Sequence, residues 1–101
     1  MDVVRVSSRA RTQVRTFLET PSAREATQRI VARLADCIRF STSAEGLESW
    51  WEHTYGSSFR HYGVGTLSSF LLKLHVAGIV RYTYAPGDVF NHVTLRAGDG
   101  A

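Results

Sequence analysis

The residues of this chain able to do chemistry are four histidines, one cysteine, two serine pairs and a glycine-flanked helix start. His53, His61, His75 and His92 are scattered through the second half. None stands at the spacing of a metal site, such as His-x3-His beside cysteines or carboxylates. Glu52-His53 comes nearest, with no second ligand four residues on. Ser57-Ser58 and Ser68-Ser69 lie in no nucleophile-elbow sequence. Gly63-Val64-Gly65-Thr66 opens a helix, and free N–H groups at such a start suit an anion. It lacks the lysine and spacing of a phosphate-binding loop and reads as a turn. Cys37 has no partner for an internal disulfide, and its place among Ile30, Leu34 and Ile38 reads as a small core residue. The expectation is a non-enzymatic protein with no catalytic residue, no metal site and no cofactor.

What remains is charge. The net charge is +3 and the pI about 9.5, which suits a polyanion without requiring one. Its distribution says more. Residues 1–40 carry eight arginines (5, 9, 11, 15, 24, 29, 33 and 39) against four acids. Residues 42–59 carry Glu45, Glu48 and Glu52 and no Lys or Arg. A basic front and an acidic middle read either as two functional surfaces or as ordinary solvated helix faces.

These residues need a scaffold. A length of 101 residues suits one domain, and 44% hydrophobic content supplies a core rather than a disordered chain. No apolar run approaches the roughly 20 residues that span a bilayer, and the start MDVVRVSSRARTQVR holds no signal-peptide core. No membrane is therefore expected. An intracellular location, cytoplasmic or nuclear, fits. The Arg- and Ser-containing start leaves organellar import open, with Asp2 and Glu19 against it.

The spacing predicts a helix over about 8–19 with Ala10, Val14, Phe17 and Leu18 on one stripe and its arginines largely off it. Thr20-Pro21-Ser22 breaks the chain. Ser22 and Glu25 read as a capping box for a helix reaching about residue 39, with Ala23, Ala26, Ile30, Leu34 and Ile38 buried. Thr42 and Glu45 read as a second box, for a helix over about 43–54 that buries Leu47, Trp50 and in part Trp51. Phe59–Tyr62 reads as a short helical turn. Thr66 caps a last helix whose Leu67, Phe70, Leu71 and Leu74 form one stripe, with Gly78 as its stop. Ile79–Tyr84 and Val89–Leu95 read as strands joined by the turn Ala85-Pro86-Gly87-Asp88. Residues 1–20 thus form a basic helical extension, 21–96 the main domain and 97–101 a disordered tail.

Three helices followed by a β-hairpin form an α+β, mostly helical plan. Thr66-Leu67-Ser68-Ser69-Phe70-Leu71-Leu72-Lys73-Leu74, followed by Ala77-Gly78-Ile79-Val80, resembles winged-helix proteins, in which a recognition helix leads into a hairpin wing. That resemblance implies a three-helix core with a β-hairpin wing, here with an extra N-terminal helix. Over about residues 42–95, Tyr55-Gly56, Phe59-Arg60-His61-Tyr62-Gly63 and Leu67-Ser68-Ser69-Phe70-Leu71 resemble the LOTUS (OST-HTH) domain within that superfamily. The chain departs from the LOTUS pattern at the Ala-Gly-Ile-Val junction and in its Arg-rich start. The resemblance implies binding of RNA or of a helicase core.

Two classes of partner follow. As a nucleic-acid binder, RNA or DNA, the chain would use Ser68, Ser69 and Lys73 on the last helix, whose solvent side also shows Leu72 and His75. Arg60 and His61 stand before that helix, Arg81 on the wing, and Arg9, Arg11 and Arg15 on the first helix. The last helix carries one lysine and no Arg, Asn or Gln, the types that pair with base edges. Contact through backbone and shape is therefore expected. As a protein-interaction or dimerisation module, the chain would use Leu72, off the apolar stripe, and the Trp50-Trp51 surface. Adjacent helical positions diverge by about 100°, so only one tryptophan points straight inward, unless the N-terminal helix folds over the other. The nearby glutamates would suit a basic partner.

Overall fold

A computed structural model of the chain describes residues 8–83 and 91–96. Among them are four helices and a three-stranded antiparallel sheet, an α+β arrangement compatible with a winged-helix-like fold. Helix α1 spans Ser8–Leu18 and α2 spans Pro21–Ala35. Pro21 occupies the first position of α2, where its fixed φ and missing N–H fit the helix start. The expected Ser22–Glu25 capping box therefore does not form. Thr20 is the N-cap residue, and its hydroxyl donates backwards to Phe17 O at 2.7 Å. Glu25 instead accepts from Tyr62 and Arg29.

α2 buries Ala23, Ala26, Ile30 and Leu34 as expected, yet it stops at Ala35 rather than near residue 39. Ile38, read as core, is 87% exposed. Cys37 is only half-buried, its thiol donating to Arg33 O at 3.3 Å. The reason lies just downstream. Arg39 (φ 58°) and Phe40 (φ 56°) adopt the left-handed conformation that side-chain-bearing residues resist. That reversal delivers strand β1, Ser41–Ser43, which the sequence reading did not anticipate.

Ser43 then caps α3, Ala44–Tyr55, its Oγ accepting from Gly46 N at 2.9 Å. The cap falls one residue later than the expected Thr42: Ser43 is the last residue of β1 and the one that α3 directly follows. A Cβ at Gly46 would lie 3.0 Å from Ser43 Oγ, so the mid-turn glycine suits this cap. Gly56, at φ 81°, closes α3 by donating to Glu52 O at 2.9 Å.

Phe59–Tyr62 makes one tight helical turn. Thr66 caps helix α4, Leu67–Val76, by accepting from Ser69 N at 3.2 Å. Leu67, Phe70, Leu71 and Leu74 are all buried, as their periodicity predicts. Strands β2, Val80–Thr83, and β3, His92–Leu95, pair antiparallel, and β1 adds to the other side of β3 in the order β1-β3-β2. The expected turn at 85–88, the outer strand positions Tyr84 and Val89, and the tail 97–101 lie outside the described residues.

The sheet contributes Val80, Tyr82 and Val93 to a core centred on three rings. Trp51 meets Phe59 at 4.8 Å and Phe59 meets Phe70 at 5.3 Å, in tilted or edge-on contact. α1 joins through Phe17, whose ring stands edge-on to Phe70 at 6.1 Å. Among the described residues no helix is long and apolar enough to cross a membrane.

Candidate nucleic-acid interface

The outer face of α4 is the first surface to consider. Its buried stripe leaves Ser68, Leu72 and His75 outward, with Leu72 51% exposed. Two of these serve the sheet. Ser68 Oγ shares a 3.2 Å hydrogen bond with Tyr82 Oη, and His75 Nδ1 accepts from Tyr82 N at 3.1 Å. Lys73, the single cation of the helix, is half-buried. Its ammonium sits 5.0 Å from the Phe17 ring centre and donates to Ser69 Oγ at 3.0 Å. α1 thus lies alongside this face and engages Lys73, which in turn holds Ser69. What stays open is one leucine between a hydroxyl and an imidazole.

The other expected residues stand apart from it. Arg60 and His61 are exposed on the turn before α4, with Ser58 Oγ 3.3 Å from His61 Nδ1. Arg81 is exposed on β2 opposite Thr94. Arg9 is exposed on α1.

Arg11 and Arg15 are brought together with a residue that the sequence reading did not select. They line a groove of about 790 Å3 with Arg24 from the first turn of α2. Leu18, Val76, Ala77 and Ile79 supply its apolar part, and Glu19 is its acid. No ion pair engages the three guanidiniums among the described residues. Three guanidiniums lining one depression with apolar neighbours can accept anions. Arg24 gave no signal in sequence, because Pro21 separates it from the α1 arginines and only the packing of α1 on α2 joins them.

A third surface lies between α2 and α3. The expected burial of Trp50 is reversed: Trp51 is the buried ring and Trp50 sits half-buried at the core edge, the two diverging as adjacent helix positions must. α1 does not cover them. The cover comes from α2: Arg33 Cζ lies 5.6 Å from the Trp50 ring centre. One turn earlier, Arg29 Cζ is 4.2 Å from the Tyr55 ring centre, 5.2 Å from Tyr62 and 5.3 Å from Trp51. Glu25 pairs with Arg29 at 3.0 Å and accepts from Tyr62 Oη at 2.5 Å. The Tyr62 hydrogen bond, with Arg29 beside it, holds the Glu25 carboxyl below its ordinary value of 4.5. The same bond raises the Tyr62 hydroxyl above 10.0. Arg29 is therefore a tether between α2 and the aromatic cluster, whereas Arg33 Nε, buried, has no hydrogen-bond partner.

Among the described residues no three metal-binding side chains come together. Comparison with protein-family models, with curated proteins and with solved structures finds no match to this chain.

Proposed function

We propose that this chain is a winged-helix-like binding module that contacts nucleic acid through phosphate and shape. The element order, with β1 closing a sheet of order β1-β3-β2 beside three core helices, supports the winged-helix reading. The observation that carries the nucleic-acid reading is the groove of Arg11, Arg15 and Arg24, three guanidiniums with no ion pair among the described residues. Guanidiniums suit phosphate because their planar donors match its oxygens. They position a nucleic acid without reading its bases. On this reading contact is made on the α1–α2 side and not through Lys73, which lies against the Phe17 ring and donates to Ser69.

The test is a binding titration against single- and double-stranded oligonucleotides at several salt concentrations. Affinity should fall steeply with salt. Replacing Arg11, Arg15 and Arg24 with alanine should lower the slope of log affinity against log salt by about 2 to 3, since each lost phosphate contact removes roughly 0.7–0.9. No binding of any nucleic acid at low salt would sink the reading.

One observation favours a second reading, a protein-contacting or self-associating module. Leu72 stands half-exposed on the outer face of α4 between Ser68 and His75. A protein contact there would remove the apolar side chain from water.

A further inference from the structure

The arginine groove does not end at Arg24. A shallower depression holds Leu18, Arg24, Thr27, Gln28 and Ile79. A third, of about 390 Å3, holds Gln28, Arg33, Trp50 and Tyr55. Arg24 lines the first two and Gln28 the last two, so the three follow one another as a track that passes over α2 from one flank to the other. Arg24 and Gln28 are four residues apart and share a helix face. Arg33 lies about 14 Å further along α2 than Arg24 and, nine residues on, on its opposite flank, so a strand that joins the two crosses the helix obliquely.

The chemistry changes along the track. The α1 end is cationic. The α3 end is aromatic: Tyr55 is 40% exposed, Trp50 is half-buried, and the Arg33 guanidinium lies against Trp50. Acids are few along it. Glu19 borders the cationic end, Asp36 the aromatic end, and the Glu25 carboxylate is held by Arg29 and Tyr62. A duplex presents phosphates but keeps its bases stacked inside. A single strand presents phosphates together with free base faces, which stack on aromatic rings and on guanidinium planes.

We propose that this track binds single-stranded nucleic acid, with phosphates on Arg11, Arg15 and Arg24 and a base against Trp50, Tyr55 and Arg33. The proposal rests on the nucleic-acid reading above and narrows it to strandedness and to the α2 face.

The test compares the whole chain binding a strand of about 12 nucleotides, oligo-dT or oligo-U, with a duplex of the same length at the same salt. The single strand should bind about tenfold tighter, the effect expected of one stacked base. It should also quench tryptophan fluorescence, and the quenched ring should be Trp50, because Trp51 is buried. Trp50→Ala should lose about tenfold in affinity for the single strand, and Trp50→Phe should retain most of it. Equal or tighter duplex binding without quenching overturns this proposal and leaves the nucleic-acid reading standing. Absence of all binding overturns both. If Trp50→Ala fails to fold, the wild-type comparison and the quenching decide alone.

Discussion

The outer faces of α4 and α2 make a useful contrast, since each is the solvent side of an amphipathic helix in the same small fold. α4 spends its polar residues internally. Ser68 and His75 bond to Tyr82, Ser69 bonds to Lys73, and Lys73 lies against Phe17. α2 ties down Arg29 but leaves Arg24 open at the groove and sets Arg33 against a half-buried ring. The two faces thus differ in whether their polar side chains already have partners, although both are the solvent side of a helix.

The largest effect on that contrast should come from Phe17, which holds α1 against α4. Phe17→Ala should destabilise by about 2 kcal/mol, below the roughly 3–5 kcal/mol of a fully buried phenylalanine, because the ring is half-buried. Chemical denaturation measures this. Nucleic-acid affinity should fall as the groove loses its α1 wall. A rise would show that α1 masks a binding face on α4 and would reverse the contrast.

Next in size is the difference between the two sets of cations. The Arg11/Arg15/Arg24 triple alanine variant should lose most binding at moderate salt, while Lys73→Ala should change affinity less than about twofold, as expected of a side chain that touches no phosphate. Equal losses in the two variants would erase the distinction. Smaller again is Leu72→Glu. At a half-exposed site away from any buried network, stability should stay within about 0.5 kcal/mol. Its readout is self-association by analytical ultracentrifugation, and an unchanged association state would remove Leu72 as an anchor.

The smallest effect should be the pH response of the Glu25–Tyr62 bond, because both groups lie at the surface. Glu25 is lowered on folding, so its contribution is full above its ordinary value of 4.5 and is lost as pH falls through the lowered value. Tyr62 is raised, so its contribution is full below 10.0 and is lost as pH rises through the raised value. Tyr62→Phe should flatten melting temperature against pH at both ends. An unaltered profile would show that the bond contributes nothing in solution.

Legibility followed the kind of signal each residue carries. The α4 stripe was readable because four apolar residues at i, i+3, i+4 and i+7 have one low-energy reading. Thr66 and Gly78 were readable because caps and stops act locally. The start of α2 was misread because a capping-box pattern competed with a proline at N1, and the proline set the first turn. Strand β1 was invisible because Ser-Thr-Ser has no apolar alternation. It is a strand because β3 offers it an unpaired edge, with Ser41 and Thr94 sharing a hydrogen bond at 3.0 Å. Ile38 was misplaced for the same reason: the turn into β1 ends the helix before the stripe reaches it.

The sequence by itself determined the four helices, the β2 and β3 hairpin strands, the buried α4 stripe, the split between a basic front and an acidic middle, and the poverty of α4 in base-reading side chains. These depend on local periodicity and on composition, which a chain carries wherever it folds. Only the tertiary structure decided which arginines meet, that Lys73 lies under Phe17, and that Trp50 rather than Trp51 reaches the surface. Those outcomes depend on which faces of α1, α2 and α4 pack together. The residues that meet there are far apart along the chain, so no short-range pattern records their contact.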